Sequence, residues 1–408
     1  MKIRPSKALI FSLINALVML FLALFWLSLP RTFGDEAFFI KWTSLVKKSV
    51  LGIDHKPDPN SVLYVDVSGS KKLFETPDPF YDELTGYQKK VITNRADLAS
   101  FLEYLSTYGT DIPIVIMDLL FESPSPDDSL LQAAIDHFPF PIVGARKLME
   151  DGKLSTQVIR MPTGVASYLS AENRFMKYPL FIQDTLPSLP LAALGIANHR
   201  TFDRNWLWPR IDKHPSLTDP IIDFKIRPID LNDGTSAREN TYAIRSLGTL
   251  LFEQSFWDTT DIKILLKNKV IIIGDFKTDI HQTVFGNIPG PLVLHNAYLT
   301  LVEGESLIKL PWLLMLFLLF FWMSRRTYLQ EKNKERSKWW QASKTAVGKI
   351  MADSIDETFF LAVGTILSYF LFNIHINILI LLIYLKIVTY LLKRFIFKPL
   401  GAKKNARG

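Results

Sequence analysis

Val270-Ile271-Ile272-Ile273-Gly274, followed at once by Asp275, is a short apolar run rich in β-branched residues, with no alternation of apolar and polar positions. A strand of that kind is buried on both faces, the condition of strands in a parallel sheet covered by helices. Two more runs share the pattern: Ser61 to Val67, with Asp66 near its end, and Pro113 to Leu120, containing Asp118. Between them Leu98, Phe101, Leu102 and Leu105 recur at helical spacing from Arg95 to Tyr108, and Gly109 supplies a C-terminal stop. Strand, helix and strand in that order predict a parallel α/β unit.

Outward from this frame, Ser125-Pro126-Asp127-Asp128 joins a capping serine, a proline suited to the first helical position and an acidic first turn. It predicts a helix through Leu130, Leu131, Ala134 and Ile135, followed by a strand at Phe140 to Gly144. A helix at Ser246 to Phe256 precedes the Val270 run, and Pro289-Gly290-Pro291 opens another from Leu292 to Glu303 that ends at Gly304. From Gly152 to Arg245 the periodicity weakens. Prolines, Trp206 and Trp208 accumulate there, with short β-like pieces at Lys177 to Ile182 and Asp223 to Arg227 and a loop at Asp230 to Ser236. The stretch reads as an inserted lobe. The fold class expected is α/β with a largely parallel central sheet and that lobe.

The chain has 408 residues, 47 Lys plus Arg, 40 Asp plus Glu, 48% apolar residues and no cysteine. That composition excludes a disordered or fibrous protein, a disulfide scaffold, a thiolate metal site and a cysteine nucleophile. The net charge of +7 invites a nucleic-acid reading, which the placement of the charges removes. Ala8 to Leu29 carries no charge and is long enough to cross roughly 30 Å of hydrocarbon. Further apolar runs lie at Trp312 to Met323, Thr358 to Phe372 and Ile376 to Leu392, the last two separated by Asn373-Ile374-His375, a break that suits a helical hairpin. Four transmembrane helices are expected.

Basic residues crowd beside these runs: Lys2, Arg4 and Lys7, eight from 325 to 352, and six from 393 onward. The positive-inside rule places all three groups in the cytoplasm. From 31 to 309 there are 29 basic against 35 acidic residues, so the large segment is acidic and external. The organisation expected is therefore a tip and span at 1–30, an extracytoplasmic domain at 31–309, a span at 310–324, a basic loop or interfacial helix at 325–357, a helical hairpin at 358–392 and a basic tail at 393–408. Trp339 and Trp340 among the basic residues of the loop suit lipid contact. A bacterial inner membrane, with both termini cytoplasmic and the large domain periplasmic or extracellular, is the location expected.

Several segments together resemble a known family. They are the strand with Asp66 and Ser68; Arg95 opening the next helix; Met117-Asp118-Leu119-Leu120-Phe121-Glu122 followed by Asp127-Asp128; and the closing run from Val270 with Asp279, Pro289-Gly290, His295-Asn296-Ala297 and Leu301-Val302-Glu303-Gly304. In order and spacing they are similar to the type-two CHASE domain, the extracellular sensor of cyclases and histidine kinases. The resemblance covers about residues 35 to 309 and implies one span before the sensor and three after it. In the family a cyclase or kinase usually follows the last span, whereas about sixteen residues follow Leu392 here. The expectation is a chain lacking an output domain that signals to a separate partner.

Asp66, Asp118 and Asp275 all fall at or near the carboxyl ends of expected parallel strands, the edge where α/β folds gather ligands. Three carboxylates brought together repel unless a cation or a basic ligand group joins them, which gives one reading: a cation or amine site with Arg95 or His281 nearby. The other is that each Asp caps its own loop. The candidate ligand-binding residues are Asp66, Ser68, Arg95, Asp118, Asp279 and His281. His295 and Asn296 are expected to bond the loop at Gly290 and couple the last external helix to the sheet.

No phosphate-binding glycine loop, serine elbow or paired-histidine metal helix is present in the sequence, and Ser68 stands where a dehalogenase-type enzyme would need a second Asp. No catalytic residue, no metal and no cofactor is assigned. The function expected is a non-enzymatic membrane sensor for a small ligand or an envelope protein, with lipids and a separate signalling or envelope protein as partners, a possible homo-oligomer, and no nucleic acid. The alternatives are a structural subunit of an envelope complex and, more remotely, a metal-dependent membrane hydrolase, which requires the strand-end carboxylates to converge.

Overall fold

The computed structural model describes residues 5–29, 34–53, 55–77, 87–166, 169–171, 174–205, 208–232, 241–253, 256, 258–329 and 346–391. The basic tip before Pro5, Trp206, residues 233–236 of the expected loop, most of the basic loop and the tail at 393–408 lie outside the described residues. Two compact units are formed, Ile53–Ser306 and, separately, 1–52 with 307–408.

The main strands are β1 (Val62–Asp66), β2 (Val115–Asp118), β3 (Ile142–Arg146), β4 (Thr163–Val165), β5 (Leu231–Asn232), β6 (Tyr242–Ser246) and β7 (Val270–Gly274). The helices are α1 (Pro5–Leu27), α2 (Gly34–Leu45), α3 (Arg95–Tyr108), α4 (Asp128–Asp136), α5 (Leu189–Asn198), α6 (Leu247–Glu253), α7 (Thr259–Leu266), α8 (Gly290–Val302), α9 (Leu310–Leu329), α10 (Ala346–Phe372) and α11 (Ile378–Leu391).

The seven strands form one sheet in the order β5-β6-β1-β7-β2-β3-β4, and every pairing is parallel. β7 lies between β1 and β2, so the first two strands of the chain are not neighbours. The register aligns Asp66, Gly274 and Asp118 across β1, β7 and β2 at the carboxyl edge.

Burial explains the unalternating runs. Leu63, Val65, Val115, Met117, Ile271 and Ile273 pack on one side against Leu98, Phe101, Leu102 and Leu105 of α3, Leu131 of α4, Leu250 of α6 and Leu266 of α7. The alternate positions face α5 and α8 on the other side. At about 1.5–3 kcal/mol for each large apolar side chain, this double-sided burial dominates the stability of the unit. α3 starts where the Asn94 side chain accepts from Ala96 N and ends where Gly109 N donates to Leu105 O. The start of α4 differs from expectation: Ser125 Oγ accepts from Asp127 N, Asp128 accepts from Ser125 N, and the helix proper opens at Asp128.

The inserted lobe expected at 152–245 is corrected. That stretch supplies β4 to one edge of the sheet, β5 and β6 to the other, and α5 to one face, all within one compact unit. It also forms a small antiparallel sheet from Phe202–Arg204, Pro209–Ile211 and His214–Pro215. Arg174–Lys177 pairs with Leu169–Ala171 and joins the hairpin of Ile280–Thr283 and Gly286–Pro289. Strands of two or three residues are too short to show any periodicity in sequence, which is why the stretch looked separate. The Asp223–Arg227 piece forms no strand: Lys225 N donates to Asp223 O at 2.7 Å and the chain bends at Ile226. A two-stranded ribbon, Lys71–Pro77 with Tyr87–Thr93, follows β1 and was not anticipated.

In the helical unit Ala8, Ser12, Asn15, Ala16, Met19 and Ala23 are buried along α1, and Trp312, Leu316, Phe320 and Ser324 along α9. The two helices pack together, small residues against large. Asn15 Nδ2 donates to Ser324 Oγ at 2.8 Å, and Tyr384 of α11 donates to Asn15 Oδ1 at 2.7 Å. Trp312 Nε1 donates to Ser368 Oγ of α10 at 2.7 Å. Among the described residues one helix, Ala8–Leu27, is long and apolar enough to cross a membrane; Thr358–Phe372 and Ile378–Leu391 are shorter apolar helices.

Candidate functional site

The carboxyl edge of the sheet sorts the expected residues into two kinds. Asp66 is buried and locally engaged. Its Oδ1 accepts from Ser68 N at 3.0 Å and Phe276 N at 3.1 Å, and its Oδ2 accepts from Ser68 Oγ at 2.7 Å. Asp66 and Ser68 thereby stitch β1 to the loop after β7. Asp275 takes Lys71 Nζ at 2.6 Å and Thr278 N at 2.7 Å; despite burial, these donors hold its carboxyl well below the usual range. Arg95 pairs with Asp128, donates to Ser123 O at 2.5 Å and lies 5.3 Å over the Phe121 ring. Burial pulls its guanidinium down to about 10, against the opposing charge of Asp127. It fastens α3 to the loop after β2 and is spent on that.

Of the two readings of Asp66, Asp118 and Asp275, Asp66 and Asp275 fit the second, in which a strand-end Asp caps a loop. Asp66 and Asp275 are satisfied by donors of their own and neighbouring segments, and among the described residues no group of three His, Asp or Glu is placed to hold a metal ion.

Asp118 behaves differently. It is half-buried and has no hydrogen-bond partner among the described residues. Burial pushes its carboxyl up to about 7, the negative charge of Asp279 adds to this, and His281 opposes it. Asp279 Oδ1 lies 3.0 Å from His281 Nε2, a pairing that raises the imidazole from its ordinary value against the effect of burial, with a further contribution from Asp118. The edge of the His281 ring meets Phe175, centroids 4.6 Å apart. Three residues from the sequence set, Asp118, Asp279 and His281, thus form one electrostatic group.

Two glycines make room for it. A Cβ on Gly274 would collide with Pro291, so only glycine lets the first turn of α8 settle on the end of β7 beside Asp118. A Cβ on Gly290 would collide with the Asp279 carboxylate and lie 3.1 Å from His281 Nε2. Gly290 N donates to Asp279 O at 2.7 Å, and the positive end of α8 faces the carboxylate, a favourable placement. The site is a partly exposed cluster of two carboxyls and one imidazole at a helix start.

A family model described as the CHASE2 domain matches residues 16–325. The chain belongs to the CHASE2 domain family. That family is one of extracellular sensor domains, and the match runs from within α1, through the α/β unit, into α9. No curated protein matches the chain, and neither does any solved structure.

From the site, α8 crosses this CHASE2 domain as a heavily bonded strut. The Tyr64 hydroxyl and His295 Nδ1 share a hydrogen bond of 2.6 Å. Burial lowers His295 to about 3 and raises Tyr64 well above its ordinary value, so both are neutral. Asn296 does not bond the loop at Gly290. Its Oδ1 accepts from Ile226 N at 2.9 Å, and its Nδ2 donates to Ile226 O and Leu292 O, both at 2.8 Å. Thr300 Oγ1 accepts from Asp223 N at 3.1 Å. At the far end Lys225, almost wholly buried, meets Glu303, Glu305 at 3.1 Å and Asp223 at 3.8 Å. Sequence reasoning missed Tyr64, Lys225 and Phe175. A lysine centred in Ile221-Ile222-Asp223-Phe224-Lys225-Ile226 was the available signal, because a cation inside an apolar run needs buried partners.

Proposed function

We propose that the chain is a membrane-anchored sensor whose external CHASE2 domain binds a small ligand bearing a basic group at Asp118, Asp279 and His281. With His281 protonated and both carboxyls ionised, the form a bound cation would favour by drawing the proton from Asp118, the three groups sum to one negative charge, which one ligand cation neutralises. The observation that carries the reading is Asp118, a partly desolvated carboxyl with no hydrogen-bond partner among the described residues, beside the first turn of α8. Ligand contact at Asp118 and Asp279 biases the position of that first turn, and α8 passes the bias to the chain entering α9 at Leu310. The proposed topology has four crossings, both termini in the cytoplasm of a bacterial cell and the domain in the periplasm, supported by the basic residues beside the apolar runs and the acidic balance from 31 to 309. Output runs through a separate signalling protein, without catalysis by the chain itself.

The test uses full-length protein in detergent, screened against small amines by thermal shift with Asp118→Asn as comparator. A compound that stabilises the parent and not the variant supports the reading. Amines that stabilise both equally, or a full panel that stabilises neither, would reject it.

A further inference from the structure

After α1 the chain forms α2, and a wider π turn at Val46–Val50 extends it, closed by Leu51 N donating to Val46 O at 2.9 Å. The polarity of this segment is reversed. Facing outward are Phe38 at 58% exposure, Trp42 at 52%, Val46 at 38% and Val50 at 74%, an apolar stripe at four-residue intervals. Facing inward, beside Ile40, are Thr43, Ser44, Lys47 and Lys48, all buried. Ser44 shares a hydrogen bond with Tyr369 of α10, Lys47 Nζ lies 5.4 Å over the Tyr369 ring, and the Phe39 and His375 rings meet at a tilt, centroids 5.7 Å apart.

The π turn keeps the stripe straight. Four-residue steps on an α-helix drift by roughly 40° each. A turn closed over five residues instead of four rotates less per residue and cancels part of that drift, so Val46 and Val50 stay in line with Phe38 and Trp42. A helix facing water hides its apolar stripe, whereas this one shows it and buries Lys47 and Lys48. The segment belongs to the compact unit of apolar helices, not to the α/β domain, and it follows directly on the membrane-length helix Ala8–Leu27. From Phe38 to Val50 the stripe is roughly 18 Å long, too short to cross a bilayer. Aromatic side chains such as Phe38 and Trp42, 6.2 Å apart, favour the headgroup boundary.

We infer that Phe38, Trp42, Val46 and Val50 form a lipid-contact surface, and that α2 with its π turn lies along the outer face of the bilayer. The occupant is phospholipid, and its assignment to the outer leaflet rests on the topology proposed above. The helix is thus part of the membrane anchor, though it lies in the stretch expected to start the external domain.

The absence of native cysteine makes the test clean. Single-cysteine variants W42C, V46C and V50C of the full chain are labelled with an environment-sensitive fluorophore in vesicles of phosphatidylethanolamine and phosphatidylglycerol. V91C, on the exposed ribbon strand, gives the water reference, and L17C, on the outward face of α1, gives the lipid reference. The two small valine replacements remain informative if W42C fails to fold. Expected are blue-shifted emission, quenching by lipid-borne nitroxide and protection from aqueous iodide at 42, 46 and 50, as at 17 and opposite to 91. If 17 reads lipid while 46 and 50 read water, the inference is overturned although α1 still spans. Disulfide dimers forming through 46 or 50 would overturn it in favour of a second copy of the chain. A water reading at 17 would overturn it together with the reading of α1 as a span.

Discussion

Replacing Asp118 by Asn should make the protein more stable at alkaline pH while removing the group proposed to bind ligand. Burial lifts this carboxyl from 3.8 to about 7. In the folded state it therefore holds its proton between those limits, and the unfolded chain does not. Stability contributed by this group is greatest near pH 4, falls as pH rises through about 7 and is level above that. Three units at 1.36 kcal/mol each give about 4 kcal/mol, and solvent screening at a half-buried position reduces this to roughly 2–4 kcal/mol. Asparagine is nearly isosteric and does not ionise, so at pH 8 the variant should gain that amount, roughly 5–10 °C in a domain of this size, and near pH 4 almost nothing. Thermal unfolding of full-length parent and variant from pH 4 to 9 reads the difference directly. A variant no more stable than the parent at pH 8, or a gap of equal size at pH 4.5, would refute the argument.

Three further outcomes follow from the strut and its start. Asn296→Ala leaves both polar groups of Ile226 buried without partners, for a loss of roughly 2–5 kcal/mol in urea unfolding. Gly290→Ala drives Asp279 from His281; it should cost about 1–3 kcal/mol and return the raised imidazole toward its ordinary value, followed by NMR titration. The stability from that pairing is complete below the unfolded value of 6.5 and is lost as pH rises through the folded one, so the parent's advantage over Gly290→Ala should narrow in alkali. Lys225→Met leaves Asp223 and Glu305 beside a missing cation and should lower stability by about 3–5 kcal/mol, again by urea unfolding.

The legible parts of the fold were those where a local pattern and the final environment agree. β1, β2 and β7 are buried on both faces and carry no polar interruption, while α3 has its cap residue and its glycine stop in sequence. The position of β7 between β1 and β2 was not legible, because it depends on which edges pair and no residue encodes that locally. β4 and β5 are set by the partner strand beside them, and their three and two residues carry no period of their own. At the site, Asp118, Asp279 and His281 were recognisable as strand-end polar residues. Asp66 looked the same in sequence, but Ser68 two residues on gave its carboxylate a local turn to close. Arg95 is diverted by Asp128, whose sequence position marks it only as an acid in the first turn of a helix.

The central place of β7 also governs how the domain is made. Synthesis delivers Val62–Asp66 about 200 residues before Val270–Gly274. At 5–20 residues per second that is roughly 10–40 s, during which the inner edges of β1 and β2 have no strand between them. An apolar strand with an open edge is a template for wrong pairing. Nascent chains halted short of residue 270 should therefore be sticky and bound by holding chaperones, and release should coincide with the emergence of the last strand, the piece that closes the sheet from the middle.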